Sequence, residues 1–124
     1  MNTPTIPQYK DRLKLSGTSI RLTKKQLDDL NRLMDATNSP SVGKTIDTII
    51  TAERDAVRNG LRTKEDYIPQ EERKYCTFSF KVNEEFKESV AELQYFYDAP
   101  TISAVIAHTI DWYARLLYPE KAVD

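Results

Sequence analysis

The sequence predicts a mostly α fold with a two-stranded antiparallel ribbon, in the order β-α-α-linker-β-α-α around one shared core. Three observations predict it. First, the stretches S-I-R-L-T (19–23) and C-T-F-S-F-K-V-N (76–83) alternate polar and apolar side chains, the period of a strand with one buried face. Second, an ungapped offset of 60 lays Ser19-Ile-Arg-Leu-Thr23 on Ser79-Phe-Lys-Val-Asn83. It also lays Leu30 on Val90, Leu33 on Leu93, Pro40 on Pro100, Ser41 on Thr101, Val42 on Ile102, Ile46 on Ile106 and Ile50 on Ile110. Third, a lone strand with two helices leaves its backbone unpaired and its apolar faces bare, so each unit is completed only by the other.

In the first copy, Ile20 and Leu22 form the inward row of the strand, and Thr23 is the N-cap candidate for a helix over 24–37. Its stripe is Leu27, Leu30, Leu33 and Met34. Asn38-Ser39-Pro40 breaks that helix, and Ser41 caps a second over 42–59, with Val42, Ile46, Ile49, Ile50 and Val57 inward until Gly60 stops it. In the second copy Asn83 is the cap, Glu84 and Glu85 suit the positive first turn, and Phe86, Val90, Leu93 and Tyr97 form the stripe. After Asp98-Ala99-Pro100, Thr101 caps a helix with Ile102, Val105, Ile106, Ile110, Tyr113, Leu116 and Leu117 inside, ended by Tyr118-Pro119. The chain thus divides into a mobile arm (1–12), copy one (13–60), a polar linker (61–75), copy two (76–118) and a tail (119–124).

Composition narrows the setting. The chain has 124 residues, 40% hydrophobic and 30% charged, enough for one modest core. It has no apolar run of about 18 residues, the length of a membrane span, and the start MNTPTIPQYK lacks the apolar stretch of a secretory signal. A cytoplasmic protein is expected. The single Cys76 makes neither an internal disulfide nor a cysteine-rich metal site and is expected as a small strand residue. Net charge is −1, yet residues 1–60 carry ten Lys/Arg against seven Asp/Glu, and residues 61–124 carry eight against twelve. A polyanion therefore meets the N-terminal half first.

The strands S-I-R-L-T and S-F-K-V-N, with the turns N-S-P-S-V-G-K-T-I and D-A-P-T-I-S-A-V-I, resemble the ribbon-helix-helix family of DNA-binding proteins. In that family the two copies normally come from two chains; here one chain holds both, over about 15–60 and 74–118. Such fused forms resemble the accessory proteins of conjugative plasmid relaxosomes and plasmid or viral repressors of the Arc/MetJ type. The resemblance implies that outward strand side chains read bases in the major groove and that the second helix of each copy binds phosphate with its first amides. Carried over, Ser19, Arg21, Thr77, Ser79 and Lys81 are the base readers, and Ser41, Val42, Gly43, Lys44, Thr101, Ile102 and Ser103 the phosphate binders. Lys10, Arg12, Lys14, Lys24 and Lys25 add arm and backbone contacts. A two-stranded ribbon does fit the major groove, and an arginine there pairs bidentately with guanine. The first-turn amides and dipole of a helix hold phosphate, with Gly43 expected to allow especially close approach.

The copies are not equivalent. Gly17 stands where copy two has Thr77, and Lys24-Lys25 where it has Glu84-Glu85. A fused pseudo-dimer of this kind is expected to tolerate or prefer an asymmetric site. Competing signals are weaker. Gly43-Lys44-Thr45 mimics the end of a phosphate loop, but Asn38 occupies the position of its first glycine. His108 is the only histidine and has no ligand at metal spacing, and Glu84, Glu85, Glu88 and Glu92 read as a solvated face. The expectation is a non-enzymatic, sequence-specific double-stranded DNA-binding protein without cofactor or metal, membrane or small-molecule substrate. Its further partners would be a second copy on adjacent DNA or a protein such as a relaxase. The alternative is a protein-interaction adaptor contacting partners through the acidic second half and the aromatics Tyr95, Tyr97, Trp112, Tyr113 and Tyr118, most of which are expected in the core.

Overall fold

The structure, a computed structural model, describes residues 6–10, 16–70 and 76–118. The elements are β1 (Ser16–Leu22), α1 (Lys24–Thr37), α2 (Val42–Arg58), a 3-10 turn (Lys64–Asp66), β2 (Cys76–Val82), α3 (Glu84–Tyr97) and α4 (Ile102–Leu117). Among the described residues the protein is mostly helical, with one two-stranded antiparallel sheet.

Local chemistry sets the boundaries. Thr23 caps α1 reciprocally: its hydroxyl accepts from the Gln26 N–H, and the Gln26 side chain accepts from the Thr23 N–H, each at 3.1 Å. Asn83 caps α3 by accepting from the Phe86 N–H at 2.8 Å. Asn38 and Asp98 end α1 and α3 in the left-handed region, with φ of 59° and 56°. Among residues with a Cβ, short amide and carboxyl side chains enter that region most readily. Gly60, at φ 73°, closes α2 in the same way.

The strands pair in the register Gly17–Lys81, Thr18–Phe80, Ser19–Ser79, Ile20–Phe78 and Arg21–Thr77. Ile20, Leu22, Phe80 and Val82 are buried and Phe78 is half-buried, so one face of the ribbon lies on the helices. The helices pack crosswise: α1 lies chiefly on α4 and α2 on α3, while β1 leans on α4 and β2 on α2. Leu30, Leu33, Ile46, Ile49, Ile50, Leu93, Ile106 and Ile110 are completely buried at this crossing. Each such side chain contributes about 1.5–3 kcal/mol by leaving water.

Some expected core positions face outward instead. Ile102, the first residue of α4, is 48% exposed. Tyr95 is 88% exposed on α3, and Tyr118 is exposed after α4, whereas Tyr97 and Tyr113 are buried. The segment expected as a plain connector is strapped down over 61–70. Arg62 Nε donates to Glu53 Oε1 at 3.1 Å, the Ile68 N–H donates to His108 Nδ1 at 3.0 Å, and Gln70 Nε2 donates to Asp111 Oδ2 at 2.9 Å. In the region expected as a mobile arm, the Tyr9 N–H donates to Thr37 O at 2.9 Å and Gln8 Nε2 to Ala36 O at 3.1 Å. Among the described residues, no helix is long and apolar enough to cross a membrane.

Candidate nucleic-acid interface

Period-2 geometry sends Gly17, Ser19 and Arg21 of β1, and Thr77, Ser79 and Lys81 of β2, to the face away from the core, and all six are exposed. The register arranges them as three rungs: Arg21 beside Thr77, Ser19 beside Ser79, Gly17 beside Lys81. The Arg21 N–H donates to Ser103 Oγ at 3.1 Å rather than to β2. These rungs are therefore the pairs without mutual backbone bonds, in which facing side chains come closest. Ser19 Oγ accordingly lies 2.8 Å from Ser79 Oγ. On this face Arg21 stands toward one end of the ribbon and Lys81 toward the other, with a hydroxyl pair at the centre.

A helix start flanks each end. Ser41 accepts from the Lys44 N–H at 3.2 Å, and Thr101 from the Ala104 N–H at 3.0 Å. Helix geometry leaves the N–H groups of Val42 and Gly43, and of Ile102 and Ser103, without an acceptor inside their own helices. The two starts differ in detail. A Cβ at Gly43 would lie 2.8 Å from Phe80 Cβ, so the glycine admits the close approach of α2 to β2. The absence of a side chain at Gly43 is thus required by packing against Phe80, a role beside the expected approach to phosphate. At the matching position of α4, the Ser103 hydroxyl holds the β1 edge.

Of the remaining basic residues, Lys10 and Lys24 are exposed, while Arg12 and Lys14 lie outside the described residues. Lys25 Nζ donates to Asp29 Oδ2 at 2.9 Å, which ties it to its own helix. Lys44 Nζ donates to the Tyr9 hydroxyl at 2.9 Å and lies 5.3 Å from the centre of that ring, so Lys44 is drawn toward the arm. Glu84 has Lys87 at 3.5 Å and Glu85 has Arg54 at 3.8 Å, which softens the acidic end of α3. Glu92 makes a two-pronged pair with Arg58 at 2.6 and 2.9 Å.

The sequence reading missed a buried polar cluster beneath the linker. Glu53 on α2 is fully buried; it accepts from Arg62 Nε and from the Tyr97 hydroxyl, and its Oε2 lies 3.4 Å from His108 Nε2. Because His108 Nδ1 accepts from Ile68, the ring proton sits on Nε2, facing the carboxylate. The Arg62 guanidinium covers Trp112, 4.4 Å from the ring centre. Burial pushes the Glu53 carboxyl up, but the hydrogen bonds from His108 and Tyr97 and the charge of Arg62 outweigh it and hold the group below the usual carboxylate range. Burial and the bond to Glu53 push the Tyr97 hydroxyl up. A sequence signal existed: Glu53 continues the Ile46-Ile50-Val57 stripe of α2 at helical spacing. With Glu53 and His108 both fully buried beneath Arg62 and Ile68, the cluster acts as the latch that seats the linker. Among the described residues, no group of three or more His, Cys, Asp or Glu side chains is placed to hold a metal ion.

Comparison with known proteins gives no match to a family model, a curated protein or a solved structure.

Proposed function

We propose that the chain is a single-chain ribbon-helix-helix protein that inserts its ribbon into the major groove of double-stranded DNA. The carrying observation is the exposed outer face, with Arg21 and Lys81 at opposite ends and a capped helix start beside each. A face of this width suits the major groove, where its polar side chains reach base edges. The amides of Val42 and Gly43, and of Ile102 and Ser103, then take the two phosphate strands that border the groove. On this reading the protein acts as a repressor or relaxosome accessory factor of a plasmid, mobile element or virus, and is not an enzyme.

Anisotropy titrations on duplex pools test it. Arg21→Ala and Lys81→Ala should each weaken the preferred duplex by about 1–3 kcal/mol per lost base contact, and affinity should fall steeply with salt. Unchanged affinity and selectivity in both variants would remove the ribbon from the interface. The exposure of Tyr95, at 88% on the helix that also carries Glu88 and Glu92, favours a second reading as a protein-binding adaptor. Absence of duplex binding even near 50 mM salt would favour that reading.

A further inference from the structure

The ends of the ribbon differ in what they offer a base pair and in how firmly they hold it. At one end Arg21 carries a planar fork of donors, and Thr77 beside it adds a hydroxyl and a methyl group, the two features that read base edges and the thymine methyl. The backbone of Arg21 is fixed to α4 through Ser103 Oγ at 3.1 Å, which couples base reading to the phosphate-facing helix start at that same end. At the other end Lys81 is a point charge on a flexible stem, and its rung partner Gly17 has no side chain to confine it.

Neither packing nor backbone demands the glycine. A Cβ at Gly17 would meet only Phe80 O, at 3.9 Å, an ordinary contact. Its φ is not positive, since Gly60 is the glycine with positive φ. What Gly17 changes is the outer surface alone. Between the two ends, Ser19 and Ser79 satisfy each other at 2.8 Å, leaving a hydroxyl pair whose remaining donor and acceptors suit any base pair.

We propose that the ribbon reads a non-palindromic duplex in one fixed orientation, with guanine required under the Arg21–Thr77 rung, a permissive centre, and a permissive half under Gly17–Lys81. This inference rests on the DNA-binding reading and specifies its substrate. The outer rungs are four residues apart along the strand, or about 14 Å, so the required and permissive halves are separated by roughly four base pairs at 3.4 Å each.

Selection of the full chain on randomised duplexes, followed by titration, tests the proposal. The selected site should carry one strict half containing guanine and one loose half. Replacing the strict half by a second loose half should weaken binding by roughly tenfold or more, whereas duplicating the strict half should gain little. Lys81→Arg should raise the guanine preference at the loose end. Adding Gly17→Thr should make the ends alike, so that the doubled strict half becomes the preferred site. Thermal unfolding of both variants checks that the ribbon is intact. A wild-type site with equal information in both halves, or a pattern unmoved by Lys81→Arg and by the double variant, would overturn the fixed orientation while leaving DNA binding intact. Enrichment of no sequence at all would instead defeat sequence reading itself, and this inference with it.

Discussion

Ser19 Oγ and Ser79 Oγ lie 2.8 Å apart, and theirs is the one rung whose members are also 60 residues apart, the offset that lays S-I-R-L-T on S-F-K-V-N. An antiparallel register meets a fixed offset at one pair only, and here that pair falls at the middle of the ribbon, so a two-fold turn about it superposes the two strands. The axis is approximate: it exchanges Arg21 with Lys81 and Gly17 with Thr77, and the side chains differ at each exchange.

The two glycines at the ribbon should respond oppositely to the same substitution. Gly43→Ala forces a methyl against Phe80 at 2.8 Å and should destabilise by about 1–3 kcal/mol. Gly17→Ala meets only Phe80 O, at an ordinary 3.9 Å, and should leave the denaturant midpoint almost unmoved. Chemical unfolding of both variants checks the contrast.

Removing the buried carboxylate should be costly. Glu53→Ala leaves Arg62, Tyr97 and His108 facing an uncompensated hole, and breaking a buried pair from one side costs about 3–5 kcal/mol. Calorimetry should record a large fall in melting temperature, and proteolysis should find the linker near Arg62 newly accessible. A near-normal melting temperature would refute the latch.

Stability should fall at both extremes of pH. Glu53 titrates below its ordinary 4.5 in the folded chain, so its contribution is complete above that pH and is lost as pH drops beneath it. Tyr67, Tyr97 and Tyr113 titrate above their ordinary 10.0, so theirs is complete below pH 10 and is lost as pH rises beyond it. Denaturant midpoints measured across pH should form a plateau, and Tyr97→Phe should reduce the alkaline fall.

Neither half should fold alone. Since α1 lies on α4 and α2 on α3, residues 1–60 and 61–124 made separately each expose the apolar faces that the other covers. Far-ultraviolet circular dichroism should show little helix in dilute fragments and its recovery on mixing.

The local grammar of the fold was legible in the sequence because it depends on neighbouring residues. Thr23, Ser41, Asn83 and Thr101 cap the helices they were expected to cap, Asn38 and Asp98 turn the chain, and Ile20, Leu22, Phe80 and Val82 point to the core. The exposed rungs follow from the same alternation. The tertiary structure alone decided what depends on residues far apart in the chain. Gly43 is matched to Phe80, Arg21 to Ser103 and Glu53 to Tyr97 and His108, none of them within helical or turn reach of its partner. A glycine or a glutamate carries no mark of which side chain will face it, because that is settled by how closely helices and ribbon approach once their apolar faces have met.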